Sequence, residues 1–105
     1  MTARPKFNYF RSKQHLKNVA SLPCQNCYIE GQTQAAHSNF AEHGKGRSIK
    51  ASDEYVAALC QKCHYELDQG NKLNKGQKRE LFMLALQKTV CRLVEQSLWP
   101  KEITP

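Results

Sequence analysis

Apolar residues fall into separate groups along the chain, each with its own rhythm. Leu16, Val19 and Ala20 stand at helical spacing and predict a short helix over about 13–21. Ser12 is placed to cap it, and Pro23 ends it. Thr33 to Asn39 predicts a strand of small and polar residues that carries His37. Tyr55-Val-Ala-Ala-Leu59 is a short apolar run, as a buried strand would show. Between the two strands, residues 40–54 form a loop rich in glycine and cations. Gln61 to about Gln69 predicts a second helix, stopped by Gly70 and followed by a linker over 71–76.

The longest pattern lies near the C-terminus. Phe82, Leu86, Val90 and Leu93, joined by Leu81, Ala85 and Val94, recur at three- and four-residue steps. They predict an amphipathic helix over 75–97 whose stripe packs on the core. Asn74 and Gln77 have the spacing of a capping box. Cys91 stands alone in this pattern and reads as a buried thiol, while Pro100 ends order before a frayed tail over 101–105. These elements predict an α+β fold, a single domain over 1–105 with its core over 22–70.

Two Cys-x-x-Cys pairs change the picture. Cys24/Cys27 and Cys60/Cys63 bracket 32 residues. Each pair sets two sulfurs on a tight turn, and two such turns supply the four thiolates of a tetrahedral structural Zn²⁺. The separation exceeds the usual ribbon spacing of roughly 15–20 residues. It would tie the start of the first strand to the start of the second helix and set His37 against His64. Paired cysteines in a chain without an apolar leader fit a reducing, cytoplasmic setting better than disulfides. No apolar run approaches the roughly 20 residues of a membrane span.

The formal net charge of +7 suits a polyanion, and nucleic acid is the first candidate partner. Arg4, Lys6, Phe7, Tyr9, Phe10 and Arg11 interleave cations with aromatics in an arm over 1–11. The arm could grip phosphates and stack on bases, or pack Phe7 and Phe10 on the core. In the loop, Gly44 and Gly46 allow close backbone approach, and Lys45, Arg47 and Lys50 could neutralise phosphate oxygens. The alternative is a solvated loop.

His64 follows the second cysteine pair directly, and Asp68 lies one helical turn on. An imidazole and a carboxylate on one face form half of a site for a divalent cation. They could equally be a surface carboxylate and a histidine bonded to backbone. His37 lies between the two knuckles and suits a general base. Asp53 could be a third metal ligand, orient a catalytic group or cap a turn. His43 is the weakest of the histidine candidates.

The ordered set of CxxC, Ala36-His37, a Gly-rich basic loop, Lys50-x-x-Asp53 and Leu59-Cys60-x-x-Cys63-His64-x-x-x-Asp68 resembles the HNH endonucleases. Within these His-Me finger nucleases, it is most similar to the small phage and prophage group of the YbcO-like and recombination-associated kind. The resemblance covers about residues 22–70, with a family-like terminal helix after it. It implies a ββα-metal finger with a structural zinc and one catalytic divalent cation (Mg²⁺, Mn²⁺ or Zn²⁺). His37 would be the base, His64 and Asp68 metal ligands with Asp53 as a possible third, and Lys45, Arg47, Lys50 and Arg11 contacts to DNA. The implied function is metal-dependent hydrolysis of DNA, in phage or prophage DNA processing or recombination, inside a bacterial or phage-infected cell. Many HNH proteins carry Asp or His directly before the base, where this chain has Ala36. Asp53 or water would fill that place, or metal binding is weak, or activity is lost. The alternatives are a zinc-stapled DNA-binding module with a decayed nuclease site, and a protein-interaction subunit that docks through the C-terminal helix.

Overall fold

The computed structural model describes residues 8–105. Arg4, Lys6 and Phe7 of the basic arm lie outside the described residues. Helix α1 spans Lys13–Ala20, strand β1 Thr33–His37, strand β2 Val56–Cys60, helix α2 Gln61–Asp68 and helix α3 Lys75–Glu95. A 3-10 turn, Ala41–His43, lies in the loop between the strands. The order agrees with the hydrophobic pattern, with element ends shifted by one or two residues, as helix and strand ends fray.

Local chemistry sets the boundaries. Ser12 Oγ accepts from His15 N at 3.1 Å and starts α1. Asn74 and Gln77 form the predicted capping box at the start of α3, with bonds of 2.8 and 2.9 Å. Gly70 lets the chain turn tightly after α2, since a Cβ there would lie 2.6 Å from the Glu66 carbonyl oxygen. No side chain fits that close approach without a shift in the backbone.

The two strands pair antiparallel, with Thr33 opposite Cys60 and His37 opposite Val56. All five residues of β2 are buried, so both faces of the strand meet apolar neighbours. On one face Ala36, Ala57 and Leu59 join Leu67 of α2 and Phe82, Ala85 and Leu86 of α3. On the other, Val56 and Ala58 meet Val19 of α1 and Leu93 of α3. Helix α3 thus contributes to both clusters. Its Thr89 hydroxyl donates to the Ala85 carbonyl (2.7 Å) and accepts from Ala58 N (2.9 Å), so a buried β2 amide is paired from a helix.

Three expectations are corrected. Cys91 is exposed, not a buried thiol, and Val94 is exposed as well, so the buried stripe of α3 is narrower than the apolar pattern. Ala20 is exposed, and the inner face of α1 buries His15 in its place. The chain after Pro100 is not frayed: Trp99 Nε1 donates to Ile103 O at 2.7 Å, and the Trp99 ring meets His15 edge-on at 5.3 Å.

Candidate functional site

Four cysteines gather where the two knuckles meet. Cys24, Cys27, Cys60 and Cys63 offer sulfur atoms that all lie within 4.8 Å of one another. Cys27 and Cys60 Sγ are 3.6 Å apart and unbridged. The surrounding donors suit thiolates. Asn26 N and Cys27 N each point at Cys24 Sγ at 3.4 Å, Cys63 N at Cys60 Sγ at 3.5 Å, and the Asn26 amide at Cys63 Sγ at 3.3 Å. Burial pushes the Cys24 thiol up, but backbone N–H groups of Cys27, Cys60 and Asn26 outweigh it and bring the group down to about 6. Burial drives the Cys63 thiol the other way, to about 12, against the bond from Asn26. One sulfur therefore ionises early, and a bound cation would draw protons from the rest. This donor set fits a structural metal ion. Among the described residues, it is the one group of three or more His, Cys, Asp or Glu side chains close enough to hold a cation.

Most of the residues predicted to carry chemistry gather in a separate cleft. His37, at the end of β1, borders a cleft of about 210 Å³ together with Asn39, Lys45, Lys50, His64 and Asp68. In α2, His64 Nε2 lies 3.0 Å from Asp68 Oδ2, one helical turn away. His64 Nδ1 is 2.8 Å from Gln34 Oε1, and Asn39 Nδ2 donates to Asp68 Oδ1 at 2.9 Å. Gln34 and Asn39 thus hold the two α2 side chains from the β1 side. Gln34 is absent from the residue types that flag chemistry in a sequence. Its one signal is its register, two residues before Ala36 on the same face of the strand.

Asp53 does not join His64 and Asp68. Its Oδ1 lies 2.8 Å from His37 Nε2 and 3.0 Å from Arg11 Nη1, and its Oδ2 accepts from Ser12 N at 2.8 Å. Its hydrogen bond to His37 is the contact an orienting carboxylate makes. Burial raises the Asp53 carboxyl, but bonds from His37, Ser12 N–H and Arg11 prevail and hold it below the ordinary carboxylate range. A carboxylate only accepts, so Nε2 of neutral His37 carries the proton and Nδ1 keeps a lone pair.

Arg11 is half exposed, and its guanidinium is bonded to the loop. It donates to the carbonyls of Ala51 (2.5 Å) and Lys50 (2.8 Å) as well as to Asp53. Phe10 N donates to Ser52 Oγ at 2.7 Å, and Asp53 N to Phe10 O at 2.9 Å. The chain before α1 is therefore strapped along residues 50–53, and the loop is anchored rather than loose. His43 anchors it further: its ring stacks on Tyr55 at 4.1 Å, its Nδ1 is 2.6 Å from Ser38 Oγ, and burial lowers its pKa. That is a packing role. Among the described residues, Lys45, Arg47 and Lys50 have no carboxylate within ion-pair distance, whereas Arg79 and Arg92 are paired with Glu42 and Glu95.

Ala36 is fully buried beside Leu67 and Phe82 and offers no donor to the α2 face. No helix among the described residues is long and apolar enough to cross a membrane. No curated protein and no solved structure matches the chain. A family model described as a protein of unknown function, DUF968, matches residues 1–96, and the chain belongs to that family.

Proposed function

We propose that the protein is a metal-dependent DNA endonuclease of the HNH kind, with β1, β2 and α2 as its ββα unit and a structural zinc on Cys24, Cys27, Cys60 and Cys63. One observation carries this reading: a histidine locked by a carboxylate borders the same cleft as a His–Asp pair and two lysines without carboxylate partners.

In this reading His37 is the general base. Asp53 fixes its tautomer, so Nδ1 takes a proton from a water molecule, and the hydroxide attacks the phosphorus in line. Asp53 also steadies the imidazolium that forms. His64 and Asp68 would hold a divalent cation, which supplies charge stabilisation at the phosphate oxygens. Two protein ligands suffice where water and substrate phosphate complete the shell, as is usual for Mg²⁺. Lys45 and Lys50 neutralise the phosphodiester backbone. The P–O bond opposite the attack breaks, and the leaving oxygen takes a proton from water, giving a phosphate monoester end and a free hydroxyl.

Plasmid nicking with Mg²⁺ or Mn²⁺, against EDTA and His37→Ala, tests the reading, with zinc content measured on both proteins. Metal-dependent nicking that falls by roughly 10²–10⁴-fold in His37→Ala is the expected result. Nicking unchanged in His37→Ala overturns the assignment. A second reading, a zinc-stapled DNA-binding module without activity, is favoured by Ala36, which leaves the cleft two acidic or imidazole ligands rather than three. It predicts salt-dependent DNA binding and no cleavage with any metal.

A further inference from the structure

His37 also borders a second depression, larger than the His64 cleft. It has a volume of about 640 Å³, within the range of roughly 300–1,000 Å³ typical of small-ligand sites. His37, Asp53 and Lys50 border it on one side and Lys13 and Leu16 of α1 on another. Ile49 closes it from the loop. Lys50 and His37 border both depressions, so the two adjoin at these side chains.

Ile49 is the unusual residue here. It is a large aliphatic side chain 46% exposed, at the base of a tight turn between the cations Arg47 and Lys50. The turn is rigid for its size. Gly46 N donates to Ile49 O at 3.1 Å and Ile49 N to Gly46 O at 3.2 Å, with Ser48 at φ +63°. The Arg11 bonds to the Lys50 and Ala51 carbonyls hold the segment after it. Ile49 and Leu16 line the same depression and give it two apolar surfaces. Lys13 and Lys50, without carboxylate partners among the described residues, stand beside those surfaces. Apolar walls with cations beside them match the chemistry of a nucleotide, a flat apolar face joined to an anion.

We propose that this trough seats the nucleotide adjoining the scissile phosphodiester, with its base between Leu16 and Ile49 and its phosphate on Lys13 and Lys50. The inference rests on the nuclease reading for its place in the reaction, and on the trough alone for its ligand. The shared border at His37 sets the register: a strand lying in the trough would carry its next phosphate to the histidine.

The test is amide chemical-shift mapping of the wild-type, zinc-loaded protein in buffer free of other divalent ions. The probes are the thymidine dinucleotide pdTpdT, its counterpart with two abasic sugars, and inorganic phosphate. Saturable shifts at Lys13, Leu16, Ile49 and Lys50 are expected, with the abasic probe bound about fivefold or more weakly for want of apolar contact. Ile49→Ser should weaken pdTpdT by a similar factor and leave the abasic probe unchanged. Equal binding of the abasic probe or of inorganic phosphate overturns the base pocket, as do shifts confined to the His64 side. Plasmid nicking run in parallel separates the two failures. Trough binding without nicking removes the nuclease and keeps the nucleotide site; nicking without trough shifts does the reverse.

Discussion

Asp53 Oδ1 stands 2.8 Å from His37 Nε2, across the gap between the end of β1 and the loop that leads into β2. The same oxygen takes a bond from Arg11, 42 residues away in sequence. The pair therefore joins three segments: the strap before α1, the end of β1 and the loop. Asp53 is 4% exposed, so the bonds it accepts are shielded from water and hold its carboxylate ionised.

Asp53→Ala is expected to act in two separable ways. It leaves His37 Nε2, Arg11 and Ser12 N–H without their acceptor. Arg11 is half exposed and recovers water, so the cost is set at about 1–3 kcal/mol, read as a lower urea midpoint. Nicking should fall further than this loss of stability explains, because the His37 tautomer is no longer imposed. Asp53→Asn keeps an acceptor for Nε2–H and should retain more of both. Equal nicking in wild type and Asp53→Ala, each fully folded, would remove Asp53 from the mechanism.

The elements were legible because they rest on local chemistry. The Ser12 cap, the Asn74–Gln77 box and the two Cys-x-x-Cys turns are contained within four residues each, and all lie where the pattern put them. The site was legible in its residue types but not in its pairings. Nothing near Asp53 in sequence separates a metal ligand from a partner of His37, since that depends on a strap 42 residues upstream. A cation beside aromatics has the composition of a DNA contact, but the three bonds of Arg11 to residues 50, 51 and 53 are tertiary and leave no local trace. His15 escaped notice because a histidine on a helix face carries no sign of burial. It is enclosed by Phe10 and Trp99, which come from opposite ends of the chain.

Removal of the metal should unfold much of the molecule. The four cysteines tie the segment before β1 to the start of α2, and Cys24, Cys60 and Cys63 are themselves part of the apolar cluster on that face. One zinc per chain is expected from the purified protein. A strong chelator, or Cys60→Ser, should lower Tm by on the order of 10 °C or more. Full retention of Tm after the metal is stripped would show that the sulfurs pack without it.

Stability should fall on mild acidification, and His15 is a main reason. Burial lowers its pKa from 6.5, only partly offset by the charges of Asp53 and Glu54 and by the Asp53 backbone carbonyl. Among the described residues neither ring nitrogen makes a hydrogen bond of good geometry. Below 6.5 the unfolded chain binds a proton that folded His15 refuses, so stability rises with pH in that window and drops as acid is added. His43, lowered by burial as well, acts in the same direction. Asp53 contributes separately: its folded pKa is below 3.8, so its share is intact above that value and is lost only as pH falls through the folded one. Urea midpoints measured from pH 7 to 5 should decline for the wild type. His15→Phe, which keeps a ring between Phe10 and Trp99, should decline less. Identical slopes for the two proteins would clear His15 of that role.

Ala36 offers the sharpest test of the His64–Asp68 pair. Gln34 and Ala36 share one face of β1, and Gln34 already reaches His64 from it. A carboxylate at position 36 would therefore face α2, but from a fully buried place beside Leu67 and Phe82. With no cation present, Ala36→Asp buries a charge among apolar side chains and should destabilise by about 3 kcal/mol or more. If His64 and Asp68 hold a divalent ion, the new carboxylate becomes its third ligand, and binding to the folded state recovers stability in proportion to ion concentration. Zinc-loaded wild type and Ala36→Asp are compared by thermal unfolding with increasing Mn²⁺. A rise in Tm that is larger in the variant, and abolished by His64→Ala in the same background, is expected. An Ala36→Asp protein that is destabilised and indifferent to Mn²⁺ would mean that no cation sits between β1 and α2.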